Sequence, residues 1–485
     1  MNAAVLESTQ HQCSQAEPHR DDWDSSHGLK MLEQLPFTAV TLHGPTADIG
    51  DLSERVLRLI NDRLANTELG RTIAPSALLP MLDGAITTGG LGVERAWETF
   101  ETAVAPHTLA LDGPRYLAFI PMSPAAAAIW MDAVVGATSF SAESWMEAAG
   151  AVAAENQALD YLRELAGMPT GAGGAFCSGG SIGNLSAIAV GRDVAGGRRL
   201  VAVADTAHAS VDNSLRLLGM EALVVPTGGD GRFAGEALSA ALDASGRATE
   251  LAVVVASAGS TNAGIVDDLR GLADVAHAHH AWLHVDGAYG GAALLLDERR
   301  ALFDGLGEAD SYIVDPHKWM FCTAGTCAVL YRQPHLAALT HRQHGPYIEV
   351  LHGADPSDEW NPSDYAFQLT RRPSGLPFWF TLLVHGTDAL AEAVRAAITT
   401  TSYAVQQLES TPGIEVVLQP QLTVVLFRKA GWNQARWQAW SRDLLDREVA
   451  FVAPTRWKGQ TIGRLVFLHP LTTTDIVDEV IATLR

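Results

Sequence analysis

From residue 174 onward the chain alternates short apolar runs with amphipathic stretches. Residues 175–177, 200–204, 222–225, 251–256, 282–285, 311–314 and 326–331 are rich in Val, Ala, Ile and Leu. Nearly continuous apolar runs of this length are expected of strands covered on both faces. Helical patterns separate them: one from the glycine-rich run after residue 177 to residue 194, one over 267–280 and one over 297–306. Strands alternating with helices predict an α/β fold, a mostly parallel sheet with helices on both faces. The link between the last two strands is too short for a crossover, so the final strand is expected to run antiparallel.

Before this alternation the pattern is helical. Residues 48–65 carry Leu52, Val56, Leu59, Ile60 and Leu64 on one face, and 97–105, 125–136 and 147–166 read as further helices. The segment 106–124 is loop-like, and residues 1–28 are polar and without period, the mark of a mobile tail. Residues 332–376 have little regular pattern and much Pro, Gly, His and Asp; irregular segments of that length are usually functional, often lids. A long helix over 381–408 precedes strands at 414–418 and 422–427, a helix at 434–447, a strand at 464–468 and a helix from 474, together a small α+β domain.

Composition narrows the partners. The 485 residues exceed one ordinary core, and the formal charge of −22 disfavours nucleic acid and anionic membrane. The least polar long run, 116–131, is short and interrupted by Pro121 and Pro124, so no membrane span is expected. Cys13, Cys177, Cys322 and Cys327 form no C-x-x-C pair and no metal spacing with histidine. With no apolar leader pattern at the N-terminus, the expected setting is the reducing cytoplasm, with no metal.

In open α/β sheets, ligands bind beyond the carboxyl ends of the strands. Ser178-Gly179-Gly180-Ser181-Ile182-Gly183-Asn184 follows one strand and opens a helix, where backbone N–H groups and the helix dipole attract an anion. It is neither a P-loop nor G-x-G-x-x-G. His208 follows the next strand and could stack on a flat ring, and Thr261 offers a hydroxyl at a third strand end. Asp286 and Lys318 end two further strands, 32 residues apart. A buried ion pair is one reading of that acid and amine. The other is pyridoxal phosphate, bonded through its aldehyde to the amine while the acid holds its ring nitrogen protonated.

The runs 178–184, His284-Val285-Asp286-Gly287-Ala288-Tyr289 and Asp315-Pro316-His317-Lys318 resemble the group II pyridoxal-phosphate decarboxylases, which include aromatic-L-amino-acid, glutamate, histidine and diaminobutyrate decarboxylases. The resemblance runs from about residue 48 to the C-terminus. It implies the type I aminotransferase-like fold, with a seven-stranded sheet, in a homodimer with shared active sites. The implied domains are a helical segment 29–124 packing on the partner, a cofactor-binding domain 125–385 with a catalytic loop 340–365, and a small domain 386–485. It implies that Lys318 bonds the cofactor, Asp286 pairs with its ring nitrogen and His208 stacks on its face. Gly179, Gly180, Ser181 and His317 would hold the phosphate, and Thr261 and Ala288 would touch the ring. A loop tyrosine 29 residues past the family's lysine protonates the carbanion in the partner's site, and the matching position is Tyr347. Enzymes that oxidise the substrate to an aldehyde carry phenylalanine there, so Tyr347 favours simple decarboxylation.

Positions matching the family's side-chain pocket are Phe119, Ile120, Pro121 and Met122, with Ser141 and Glu143 from the other subunit. Phe119 and Met122 suit an aromatic amino acid. Glu143 stands where aromatic enzymes have an apolar residue and suits a cationic or hydroxylated side chain. Asp315 replaces an asparagine found in several members. Arg464 matches an arginine near the substrate carboxylate, a domain-interface ion pair being the alternative. The expected activity is decarboxylation of an aromatic L-amino acid to its amine. The alternatives are an aldehyde-forming oxidase, a decarboxylase of basic, acidic or non-proteinogenic amino acids and, remotely, a non-catalytic cofactor-binding protein.

Overall fold

The structure, a computed structural model, describes residues 47–65, 68–351 and 359–485. The polar tail 1–28 and part of the loop, 352–358, lie outside the described residues. The chain divides into two compact units, Met1–Asn66 with Leu79–Ala103, and Thr67–Leu78 with Val104–Arg485.

In the first unit the apolar stripe predicted over 48–65 forms the helix Ala47–Ala65. Within this unit Arg55 donates to Glu94 of the helix Gly92–Thr99 at 2.5 Å. Val56, Leu57, Leu59 and Leu64 remain exposed. The helix expected over 97–105 begins earlier, at Gly92, and changes pitch into a π-turn at Phe100–Val104.

The second unit is built on a seven-stranded sheet. Its strands are β1 Gly173–Cys177, β2 Leu200–Ala204, β3 Glu221–Val225, β4 Leu251–Ser257, β5 Trp282–Asp286, β6 Ser311–Val314 and β7 Cys327–Tyr331. They stand in the order β1-β7-β6-β5-β4-β2-β3. Strands β3, β2, β4, β5 and β6 pair in parallel, while β7 is antiparallel to both β6 and β1. Six strands therefore point one way, which puts the carboxyl ends of β1, β2, β4, β5 and β6 on one edge. Residues of β2, β4, β5, β6 and β7 are buried throughout, as their unbroken apolar composition requires.

Three expectations change. No α-helix forms over 297–306: the chain crosses from β5 to β6 in 3₁₀ turns at Gly290–Leu295, Asp297–Phe303 and Leu306–Glu308. Gly291 and Gly305 bound this stretch where a Cβ would meet the Tyr312 hydroxyl at 2.1 Å and the Arg270 backbone at 2.4 Å, so the chain is pressed too closely for a full helix. Inside the irregular 332–376 lies the helix Pro334–His341, whose first-turn proline is where the ring costs least. The long helix spans Leu376–Glu409 and breaks at Gly386, where φ is +73°.

The small sheet has the order β10-β11-β9-β8, all antiparallel, from β8 Ile414–Val416, β9 Val424–Lys429, β10 Thr455–Trp457 and β11 Gln460–Val466. The strand expected at 464–468 begins earlier because it is one arm of a hairpin. Lys458 and Gly459 turn it with φ of +46° and +81°, the two-residue geometry that matches strand twist. Among the described residues no helix is long and apolar enough to cross a membrane.

Candidate active site

At the carboxyl edge of the large sheet lies a cavity of 420 Å³. Strand-end loops bring Gly179, Gly180, Ser181, His208, Thr261, Asp286, Ala288, His317 and Lys318 to its walls, with Met122 from the preceding segment. All nine residues expected to hold a cofactor thus meet in one place, although they span 140 positions of sequence.

At one end, β1 runs into the helix Gly180–Val194 through Gly179, whose φ of +145° is open to glycine alone. The first N–H groups of a helix have no acceptor within it, and here they face the cavity end where Gly180 and Ser181 line the wall. A Cβ on Gly180 would stand 2.9 Å from Asp315 Oδ2, so the close approach of this turn to the β6 end requires glycine.

Lys318 follows β6 on a short helical turn, Pro316–Trp319. Its Nζ lies 3.0 Å from Asp315 Oδ2, and His317 Nε2 is 3.7 Å from the same oxygen. Burial pushes the Lys318 ammonium down, but Asp315, then Asp286, outweigh it and hold the group above the ordinary lysine value. Burial likewise pushes Asp315 up, and the charges of Lys318 and His317 more than reverse this, leaving it below the ordinary carboxylate value. Asp315 is therefore the counter-charge of the free lysine, a role the sequence did not assign to it.

Asp286 ends β5 and is buried. Its Oδ1 accepts the Ala288 N–H at 3.1 Å, and its Oδ2 accepts from Asn184 Nδ2 at 2.9 Å. His208 caps the helix Ala209–Leu218, its Nδ1 accepting the Ser210 N–H at 3.2 Å. Asn184 was legible only as the end of the glycine run; its contact with an acid 102 residues away had no local signal.

The remaining candidates do not line the cavity. Tyr347 is 76% exposed and Phe119 58% exposed. Ile120, Pro121, Ser141 and Glu143 also lie outside its walls, with Ser141 donating to Glu143 at 2.5 Å. Arg464 is buried, and its hydrogen bonds within the chain go to backbone carbonyls. Its guanidinium donates to the carbonyls of Thr261 (2.6 Å), Phe119 (2.8 Å) and Asn262 (3.2 Å), and burial pushes its pKa down to about 10. This grip holds the backbone at Phe119, which has a φ of +52°, a left-handed conformation costly for an aromatic residue. Among the described residues, no three His, Cys, Asp or Glu side chains cluster as metal ligands would.

Residues 75–430 match the pyridoxal-dependent decarboxylase conserved domain. The chain is 30% identical over 380 residues to an aromatic-L-amino-acid decarboxylase of Bacillus atrophaeus, covering 75% of this chain and 79% of the relative. It is 28% identical over 405 residues to an L-2,4-diaminobutyrate decarboxylase of Rhizobium meliloti (strain 1021), covering 81% of each. In fold it is similar to the crystal structure of Oryza sativa TDC with PLP and tryptamine, at a TM-score of 0.84 and 24% identity over 91% of this chain and 98% of that one.

The cavity's donor set fits that family's cofactor: a helix start suited to an anion, an amine beside a buried acid, and a second buried acid in the wall. With this set gathered at the strand ends and the family's conserved domain spanning most of the sequence, the chain belongs to the pyridoxal-dependent decarboxylases, carboxy-lyases that work with pyridoxal 5'-phosphate.

Proposed function

We propose that the enzyme removes the α-carboxylate of an aromatic L-amino acid, releasing CO2 and the amine. The observation that carries the substrate class is the segment 119–122. Arg464 clamps its first residue by the carbonyl, and Met122 reaches the cavity wall, so Met122 presents apolar surface there, with Phe119 three residues away outside the walls. The Bacillus atrophaeus relative, an aromatic-L-amino-acid decarboxylase, supports the same class.

Pyridoxal phosphate, when bound, supplies an aldehyde for covalent attachment and a ring that takes up the electrons released as CO2 leaves. Lys318 Nζ is the attachment point, and it must lose its proton first; Asp315, 3.0 Å away, is the group that holds this proton in place. The N–H groups at the start of the helix Gly180–Val194, with Ser181 and His317, bind the phosphate. His208 would stack on the ring, with Thr261 and Ala288 beside it. Asp286 holds a proton on the ring nitrogen, because an anion beside a basic nitrogen favours its protonated form. Tyr347 Oη donates a proton to the substrate Cα after CO2 has left.

Tyr347 is exposed within its own chain, which supports its acting in the site of a second copy. The apolar face of Ala47–Ala65, exposed at Val56, Leu59 and Leu64, supports a homodimer, which sedimentation would measure directly. Cys177, Cys322 and Cys327 are free and buried, which supports the cytoplasm as the setting.

A panel of amino acids, scored for CO2, product mass and oxygen uptake, tests the reading. Tryptophan, tyrosine, phenylalanine or dihydroxyphenylalanine should give amine and CO2 in equal amounts with no oxygen consumed. Preference for a diamino acid would instead favour Glu143 as a cation-binding group, in line with the Rhizobium meliloti relative. Aldehyde with oxygen uptake would make the enzyme an oxidase.

A further inference from the structure

Beneath the cavity runs a line of buried hydrogen bonds whose direction can be deduced. It begins at Trp282 Nε1, which lies 2.7 Å from Ser311 Oγ. An indole nitrogen only donates, so Ser311 Oγ accepts there, which leaves its own proton available for His284 Nδ1, 2.9 Å away. With Nδ1 accepting, the neutral His284 ring carries its proton on Nε2, which faces Asn184 Oδ1 at 2.8 Å. Asn184 Oδ1 then accepts, so its Nδ2 donates both its protons: one to Asp286 Oδ2 and one to Ser210 Oγ, each at 2.9 Å. Ser210, having accepted, donates to His208 Nδ1 at 2.8 Å. His208 Nδ1 also accepts the Ser210 N–H, which requires the same state of that nitrogen.

The direction is fixed from the other end, by the Asp286 carboxylate. Were Asn184 turned over, Oδ1 would face the Asp286 carboxylate, oxygen against oxygen, at hydrogen-bond distance. His284 stays neutral, since burial pushes its pKa down to about 4 against the opposing pull of Asp286 and the Ser311 carbonyl. Trp282, His284, Ser311 and Ser210 are buried and do not line the cavity, so water does not offer an alternative partner for them, while Asn184 is buried at the cavity wall.

We propose that Asn184 and His284 are positioning residues: the one-way line from Trp282 fixes which atoms of Asp286 and His208 face the cofactor. Asn184 and the Ala288 N–H each take one oxygen of Asp286 and pin the carboxylate plane, leaving its free lone pairs for the ring nitrogen. The same line fixes His208 Nδ1 as an acceptor and leaves its other nitrogen toward the cavity. The inference rests on the placement of Asp286 at the ring nitrogen, not on the identity of the substrate.

The test compares binding of pyridoxal 5'-phosphate and of 1-deazapyridoxal 5'-phosphate, which has a carbon in place of the ring nitrogen, to the full-length apoprotein. Wild type should prefer the natural cofactor by about tenfold or more, the scale of one charged hydrogen bond. Asn184→Leu, which keeps the volume but donates nothing, should cut that ratio to about threefold or less. Ser311→Ala, which frees the His284 tautomer, should lower it by a smaller factor. A packing defect would weaken both ligands alike, so an unchanged ratio in Asn184→Leu overturns the proposal. If Asn184→Leu does not fold, the same unchanged ratio in Ser311→Ala overturns it. Asp286→Ala separates the two levels of argument. It should bring the ratio to about one, and if it does not, the placement of Asp286 fails and this inference with it.

Discussion

The roles proposed for Asp286 and Tyr347 draw on opposite kinds of structure. Asp286 sits at the end of a fully buried strand, each carboxylate oxygen held by a donor. Tyr347 is 76% exposed on a loop whose next residues, 352–358, lie outside the described set. The proposed floor is drawn from one chain, whereas Tyr347, outside the cavity walls, would need something further to bring it in. A carboxylate tuning a ring nitrogen must keep one geometry through every step. A proton donor is needed only after CO2 has left.

The strongest way to break this comparison is to damage the floor. Asp286→Ala should lower turnover on the order of 10²–10³-fold, as removal of a preorganised charge does elsewhere, while Lys318 still retains the cofactor, visible in its absorbance. Near-normal turnover would mean that the ring nitrogen needs no fixed partner, and the distinction between floor and loop would lose its basis.

Damage to the loop should be smaller and different in kind. Tyr347→Phe should reduce amine formation by about 10²-fold, the contribution of a positioned acid, with aldehyde and peroxide rising as the uncaptured carbanion meets oxygen. Mixing subunits sharpens this. Lys318→Ala and Tyr347→Phe chains, each inactive alone, should recover about a quarter of wild-type activity when randomly paired, since one site in each mixed dimer is whole. No recovery would place Tyr347 in its own chain's site.

Asp315 tests the floor's electrostatics. Asp315→Asn removes the charge that holds Lys318 above the ordinary lysine value, so the pH profile for cofactor uptake by the apoenzyme should move to lower pH. Stopped-flow absorbance across pH reads this directly, and an unmoved profile would show that Asp315 does not control the lysine proton.

How far the sequence reached follows the same division. Unbroken Val, Ala and Ile runs revealed the strands, and a residue at a strand's carboxyl end faces the ligand edge whatever its helices do. His208, Thr261 and the glycine turn were weak signals singly, and with Asp286 and Lys318 they became legible as a set of successive strand ends. Local pattern misled where glycines crowd the backbone, as at 297–306, and where proline and histidine masked the helix Pro334–His341. Arg464 was legible as a charge near the site, but not as a clamp on carbonyls, because backbone acceptors have no sequence signature. Trp282, His284 and Ser311 read as apolar strand or as background. Their register, His284 opposite Ser311, becomes visible only when β5 and β6 pair.

That buried line should also leave a small mark on stability. His284 has a folded pKa of about 4 against 6.5 unfolded. Below pH 6.5 the unfolded chain takes up a proton that the native site refuses, so this histidine's share of stability is present above pH 6.5 and lost as pH falls toward 4. The loss approaches about 3 kcal/mol over the window, which in a chain of this size is about 1–2 °C of melting temperature per pH unit. The wild-type curve alone will hide it, because Asp267 has the opposite sign. Burial raises Asp267 to about 7 from 3.8, so native Asp267 binds its proton before the unfolded chain does and gains stability over nearly the same range. The difference between wild type and His284→Gln cancels Asp267, since glutamine never titrates. That difference should change sharply between pH 6.5 and 4 and flatten below. A flat difference throughout would show that native His284 takes up its proton as readily as the unfolded chain, so the neutral ring that fixes the line's direction would hold only above pH 6.5.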